Sequence, residues 1–95
     1  MAEKGWKRKG PADWDKKAKS FSSRTKNNDY VDLFVAELPL DSSLSVLDIG
    51  SGPGTLALPI AGKARKVTAI DFSKGMLKIL SQHAKAEGLS NIDTI

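Results

Sequence analysis

The stretch Val46-Leu47-Asp48-Ile49-Gly50-Ser51-Gly52-Pro53-Gly54 decides the fold of this 95-residue chain. Leu44 to Ile49 is a short, mostly apolar run bounded by turn residues, the pattern of a buried parallel strand. A glycine-rich turn follows at once. Glycine at 50 permits a tight bend off the strand, and glycine at 52 lets a ligand approach the backbone without meeting a Cβ. Val67-Thr68-Ala69-Ile70 reads as a second strand ending in Asp71, seventeen residues past Gly54. Ligands of open α/β sheets sit beyond the carboxyl ends of the strands, so the turn and the acid fall on one rim. There Asp71 is placed to accept hydrogen bonds from both ribose hydroxyls of a nucleoside. Each bond to a charged group contributes roughly 1.5–3 kcal/mol. Replacing Asp71 by alanine is expected to weaken nucleoside binding and leave the fold intact.

Working outward, Thr55 to about Ala61 forms a short helix with Pro59 near its first turn, where little hydrogen bonding is lost. Gly62 to Lys66 is a basic turn. Ser73 caps a helix from Lys74 to about Glu87 that carries Met76, Leu77, Leu80 and Ala84 along one side, and Gly88 is placed as its C′ residue. Asn91 to Ile95 begins a third strand. Upstream, Asn28 or Asp29 caps a helix with the stripe Tyr30, Val31, Phe34, Val35 and Leu38, which Pro39 ends. Pro11 and Asp13 open an earlier helix carrying Trp14, Ala18 and Phe21. The chain therefore divides into a basic tail (1–10), a helical leader (11–43) and a βαβαβ unit (44–95). Strands alternating with helices imply an α/β fold with a parallel sheet.

Composition bounds the function. Hydrophobic residues make up 40% and charged residues 27% of the chain, which excludes a compositionally disordered or membrane-embedded class. The apolar runs fall far short of the ~20 residues that span a bilayer. The Lys-rich N-terminus has no apolar segment behind it and does not read as a secretory signal. There is no cysteine, which excludes a disulfide framework and a thiolate nucleophile or metal site, and fits a reducing cytoplasm. No cluster has metal-ligand spacing, so no metal is expected. The net charge of +4 is uneven: residues 1–28 carry +6 and residues 29–95 carry −2. Lys4 to Lys26, with Trp6, Trp14 and Phe21 interleaved, suits RNA binding by phosphate contact and stacking. It suits still better a solubilising tail followed by a helix whose aromatics pack on the sheet.

VLDIGSGPG followed by VTAIDFSKGML resembles the first two motifs of the class I S-adenosylmethionine-dependent methyltransferases. The glycine spacing is Gly-x-Gly-x-Gly; dinucleotide-binding proteins more often have Gly-x-Gly-x-x-Gly, which would put glycine where Thr55 stands. The resemblance covers residues 44–95, and Trp14-Asp15, Ala18 and Phe21 are similar to the family's helical leader. It implies a Rossmann-like sheet with strand order 3-2-1 preceded by two helices, and methyl transfer from S-adenosylmethionine to an unidentified acceptor. It implies that Asp48 lies near the methionine part of the cofactor, that Gly50, Ser51 and Gly52 bring backbone against its amino acid and ribose, and that Asp71 binds the ribose hydroxyls. Phe72 and Met76 would pack on the adenine, although a Met on a helix stripe is as readily core. Trp14, Ala18 and Phe21 would serve as lid residues. Such chemistry is mainly positional and identifies no catalytic residue.

Family members have a seven-stranded sheet, and this chain ends at its third strand. Strand 1 would then present an open edge, which promotes association. The expectation is an N-terminal piece of a longer protein, inactive alone; the alternative is a sheet completed by a second chain. Two other functions stay open: a different nucleotide- or dinucleotide-binding protein, and a basic RNA-binding module driven by the leader.

Overall fold

The computed structural model describes residues 10–15 and 29–95. Ala18, Phe21 and the remaining parts of the basic tail and leader lie outside the described residues, and so does the predicted RNA-binding run apart from Gly10 to Asp15. Residues 11–15 are helical. Pro11 occupies the first helical position, and the Gly10 amide donates to the Asp13 carboxylate at 3.1 Å, one half of a capping box, glycine having no side chain to return the bond.

Six further elements follow: α1 (Asp29–Glu37), β1 (Ser45–Ile49), α2 (Ala57–Ala61), β2 (Lys66–Ile70), α3 (Lys74–Ala86) and β3 (Ile92–Thr94). The strands form one parallel sheet in the order β1-β2-β3, which is the predicted 3-2-1 arrangement. Asp48 pairs with Ala69 and Ile49 with Ile70, so both strands end level on the rim that carries Gly50 and Asp71.

Local chemistry fixes α3 at both ends. The Ser73 hydroxyl accepts from the Met76 amide at 3.1 Å. At the other end the Leu89 amide donates to the Ala84 carbonyl at 2.9 Å and the Gly88 amide to Lys85 at 3.1 Å, a Schellman closure. In α2 Pro59 falls in the first turn, between the Leu58 amide bonded to the Gly54 carbonyl and the Ile60 amide bonded to Leu56, so at most one i→i−4 bond is forgone.

The core sits between the helices and one face of the sheet. Val31 and Val35 of α1, Ala57, Ile60 and Ala61 of α2, and Leu80 of α3 pack with Val67 and Ala69 of β2. Val46 and Ile92 border this cluster from the flanking strands.

Two expectations are corrected. β1 is not buried on both faces: Leu47 and Ile49 are 57% and 75% exposed. The described helices contribute to a core on the Val46–Val67 side only, and side chains alternate along a strand, so the odd-numbered residues of β1 face away. The stripe of α1 is also narrower than predicted. Val31 and Val35 are buried, whereas Tyr30 and Phe34 lie outside the core and stack on each other, ring centroids 6.3 Å apart.

Candidate functional site

The glycine turn folds back onto the end of the neighbouring strand. The Gly50 and Ser51 amides both donate to the Ile70 carbonyl, at 2.7 and 3.0 Å. The chain then passes through Gly52 at φ +59° and Gly54 at φ +98°, conformations open to glycine and strained for other residues. Gly54 is constrained twice. A Cβ there would lie 2.9 Å from Leu58 Cγ and 3.1 Å from Leu80 Cγ, so glycine also lets α2 and α3 close on the turn.

Asp71 lies at the centre of the rim. Its Oδ2 accepts from the Gly52 amide and its Oδ1 from the Ser73 amide, both at 2.8 Å. One carboxylate thus joins the turn after β1 to the entrance of α3. A carboxylate offers about four lone-pair sites, so two remain for a ligand. The expectation that Asp71 is dispensable to the fold is therefore wrong in part: removing it strips a partner from two backbone amides. The sequence could not show this, because the Gly52 bond depends on how far the turn curls back.

Around this rim lies a cleft of about 490 Å³, within the usual range for a small-molecule site. Its lining includes all seven residues predicted from the sequence: Asp48, Gly50, Ser51, Gly52, Asp71, Phe72 and Met76. Phe72 is 58% exposed and forms an open lip. Met76 is 2% exposed, a buried core residue that also contributes to the cleft lining. Trp14, the one predicted lid residue among those described, is also in the wall.

Tyr30, Val31, Thr55 and Leu56 complete the lining and were missed as site residues. Thr55 and Leu56 could have been found, since they directly follow the last glycine of the turn. Tyr30 and Val31 could not, because the helical pattern of α1 does not say which end of the sheet it overhangs.

The site is acidic and has unmet hydrogen-bonding capacity. Among the described residues, Asp48 and Asp71 are its charged lining, with no lysine or arginine beside them. Burial, reinforced by the neighbouring Asp71 carboxylate, pushes the Asp48 carboxyl above its usual range. Asp48 Oδ2 and Ser51 Oγ are buried without a hydrogen-bond partner among the described residues. Buried polar atoms left so are uncommon and point to a group that is still to arrive. No group of three or more potential metal ligands occurs among the described residues, and no described helix is long and apolar enough to cross a membrane.

Comparison with known proteins agrees with this geometry. A family model described as a methyltransferase domain matches residues 46–95, which begin at β1 and include both the turn and Asp71. An uncharacterized protein of Haemophilus influenzae is 37% identical over 86 residues, covering 88% of this chain and 32% of that protein. The probable ribosomal RNA small subunit methyltransferase A of Methanosphaera stadtmanae is 37% identical over 65 residues, 68% of this chain and 24% of its own. The chain thus spans about a quarter to a third of the length of these relatives. Among solved structures, the S-adenosylmethionine-dependent methyltransferase of Thiobacillus denitrificans in complex with S-adenosyl-L-homocysteine aligns with a TM-score of 0.66 at 25% identity, over 73% of this chain and 29% of that one. On its turn, its rim and these matches, the chain belongs to the methyltransferase-domain family and has the Rossmann-like sheet of the class I S-adenosylmethionine-dependent methyltransferases.

Proposed function

We propose that this chain binds S-adenosylmethionine in the cleft and serves its transfer of a methyl group to an acceptor yet to be identified. The observation that carries the reading is Asp71, held by Gly52 and Ser73 with lone pairs to spare for two ribose hydroxyls. Gly50, Ser51 and Gly52 offer backbone to the ribose and amino-acid portions. Asp48, half-buried with its Oδ2 atom buried and without a partner among the described residues, suits the cationic methionine end. Phe72 and Met76 take the adenine, with Trp14 and Tyr30 closing the walls. When bound, the cofactor supplies an electrophilic methyl on a sulfonium. The protein's part is to orient that methyl and to keep water away.

The sign of the cleft favours this reading over a dinucleotide. Two carboxylates and, among the described residues, no cationic side chain suit a sulfonium and an ammonium, and disfavour a pyrophosphate. Calorimetric titration with S-adenosylhomocysteine and with NAD tests it, and a preference for NAD refutes it. As acceptor, RNA is favoured by the ribosomal RNA methyltransferase relative and by the +6 charge of residues 1–28. Salt-dependent binding of a single-stranded RNA that is lost on deletion of residues 1–28 would support that choice. A cytoplasmic location is our reading from the absence of cysteine.

A further inference from the structure

Building on the S-adenosylmethionine reading of the cleft, we propose that Asp15 is a positioning residue: it latches the leader to the first turn of α3 and thereby sets Trp14 as a wall of the cofactor cleft. The Asp15 carboxylate accepts from the Ser73 hydroxyl and, at 2.7 Å, from the Gly75 amide. Ser73 receives the Met76 amide on the same oxygen, so its hydroxyl proton is free to go to Asp15. Helix N-termini leave amides without intrahelical partners, and here a residue about sixty positions upstream supplies one. These bonds hold the Asp15 carboxyl below the usual carboxylate range.

The same turn faces two ways. Phe72 and Met76 face the cleft, while Ser73 and Gly75 hold Asp15. Trp14 is adjacent to Asp15 in the chain and lines the same cleft as Asp71.

Gly75 is the independent observation. It lies inside a helix, where alanine is the better helix former. A Cβ at 75 would stand 3.0 Å from both Cα and Oδ1 of Asp15 and 3.2 Å from its Cβ. Glycine here is unfavourable for α3 alone, and it makes room for the leader.

The test uses the 95-residue chain with Trp6→Phe, which leaves Trp14 as its one tryptophan. Into it are placed Asp15→Ala, Asp15→Asn and Gly75→Ala. Acrylamide quenching reads Trp14 exposure, and calorimetry reads S-adenosylhomocysteine affinity. Unseating the leader should raise the quenching constant about two-fold and weaken S-adenosylhomocysteine about five-fold in Asp15→Ala and Gly75→Ala, as expected when the competent state is less populated. Asp15→Asn keeps an acceptor and should recover most of both. Gly75→Ala should achieve this with a urea midpoint no lower than the parent's, which a purely structural cap would not do. Equal quenching and affinity in the parent and both unseating variants overturns the latch. Loss in Asp15→Ala without loss in Gly75→Ala also overturns it, leaving a simple cap. A parent that binds no S-adenosylhomocysteine instead overturns the cofactor reading, while the quenching arm still reports whether Asp15 seats Trp14.

Discussion

Asp71→Asn separates the two roles of the rim carboxylate. In the wild type each oxygen accepts one backbone amide at 2.8 Å, from Gly52 and from Ser73. Asparagine retains one acceptor and turns the other into a donor. Whichever way the amide is oriented, one backbone N–H then faces another donor. The loss of one bond to a charged group, with its partner left unmet, costs about 2–3 kcal/mol. For a domain of this size that lowers the melting temperature by about 10–20 °C. The ribose loses one charged acceptor as well, so S-adenosylhomocysteine should bind about ten- to hundred-fold more weakly. Circular dichroism gives the melting shift, and calorimetry, run at a temperature where the variant is fully folded, gives the affinity. Affinity within two-fold of wild type in the folded variant refutes the ribose assignment. An unchanged melting temperature refutes the claim that Asp71 fastens the turn to α3.

Three further outcomes are expected. Gly54→Ala combines a φ of +98° with a Cβ 2.9 Å from Leu58 Cγ and should destabilise by about 2–4 kcal/mol; an unchanged urea midpoint would contradict the packing described. Asn91→Ala removes side-chain donation to the Ala61 and Ala64 carbonyls at 2.8 and 3.1 Å and should cost about 1–3 kcal/mol, with amide exchange accelerating first around β3. Uniform acceleration across the sheet would argue against so local a role. Asp48 has a folded pKa raised above its ordinary value of 3.8, so its contribution to stability is fully present below that value and is lost as pH rises through the raised one. Asp48→Asn should therefore be more stable than wild type at neutral pH and lose that advantage in acid, as thermal melts at both ends would read. An advantage that persists unchanged into acid would mean that ionisation of Asp48 is not its source.

The parts of the site that were legible in the sequence are those written within one loop or one strand end. Gly50, Ser51, Gly52 and Asp71 follow strands whose apolar character is plain, and parallel pairing brings their ends to one rim. The ends of α3 were equally plain, because Ser73 and Gly88 act on their own neighbours. What was hidden depends on distance across the fold. Asp15 finds Ser73 and Gly75 about sixty residues away, with no local pattern to announce it. The exposure of Leu47 and Ile49 was hidden for another reason: an apolar residue has the same pattern whether its face of the sheet is covered or not. Tyr30 and Phe34 share the apolar stripe of α1 yet lie outside the core, because a helical stripe records which residues are apolar and not how wide the groove beneath them is.

β1 carries apolar side chains on both of its faces, with Val46 toward the helices and Leu47 and Ile49 away from them. Hydrophobic patterning alone therefore opposes a one-residue slip of this strand only weakly, since a slip exchanges the two faces and buries Leu47 and Ile49 in place of Val46. The alignment is fixed at the strand ends: the Arg65 amide reaches the Leu44 carbonyl at one end, and the Gly50 and Ser51 amides reach Ile70 at the other. The bend that shapes the cleft is thus also the ratchet that keeps β1 in step with β2. A small molecule that draws Gly52 and Asp71 together will report on, and reinforce, correct assembly of the sheet itself.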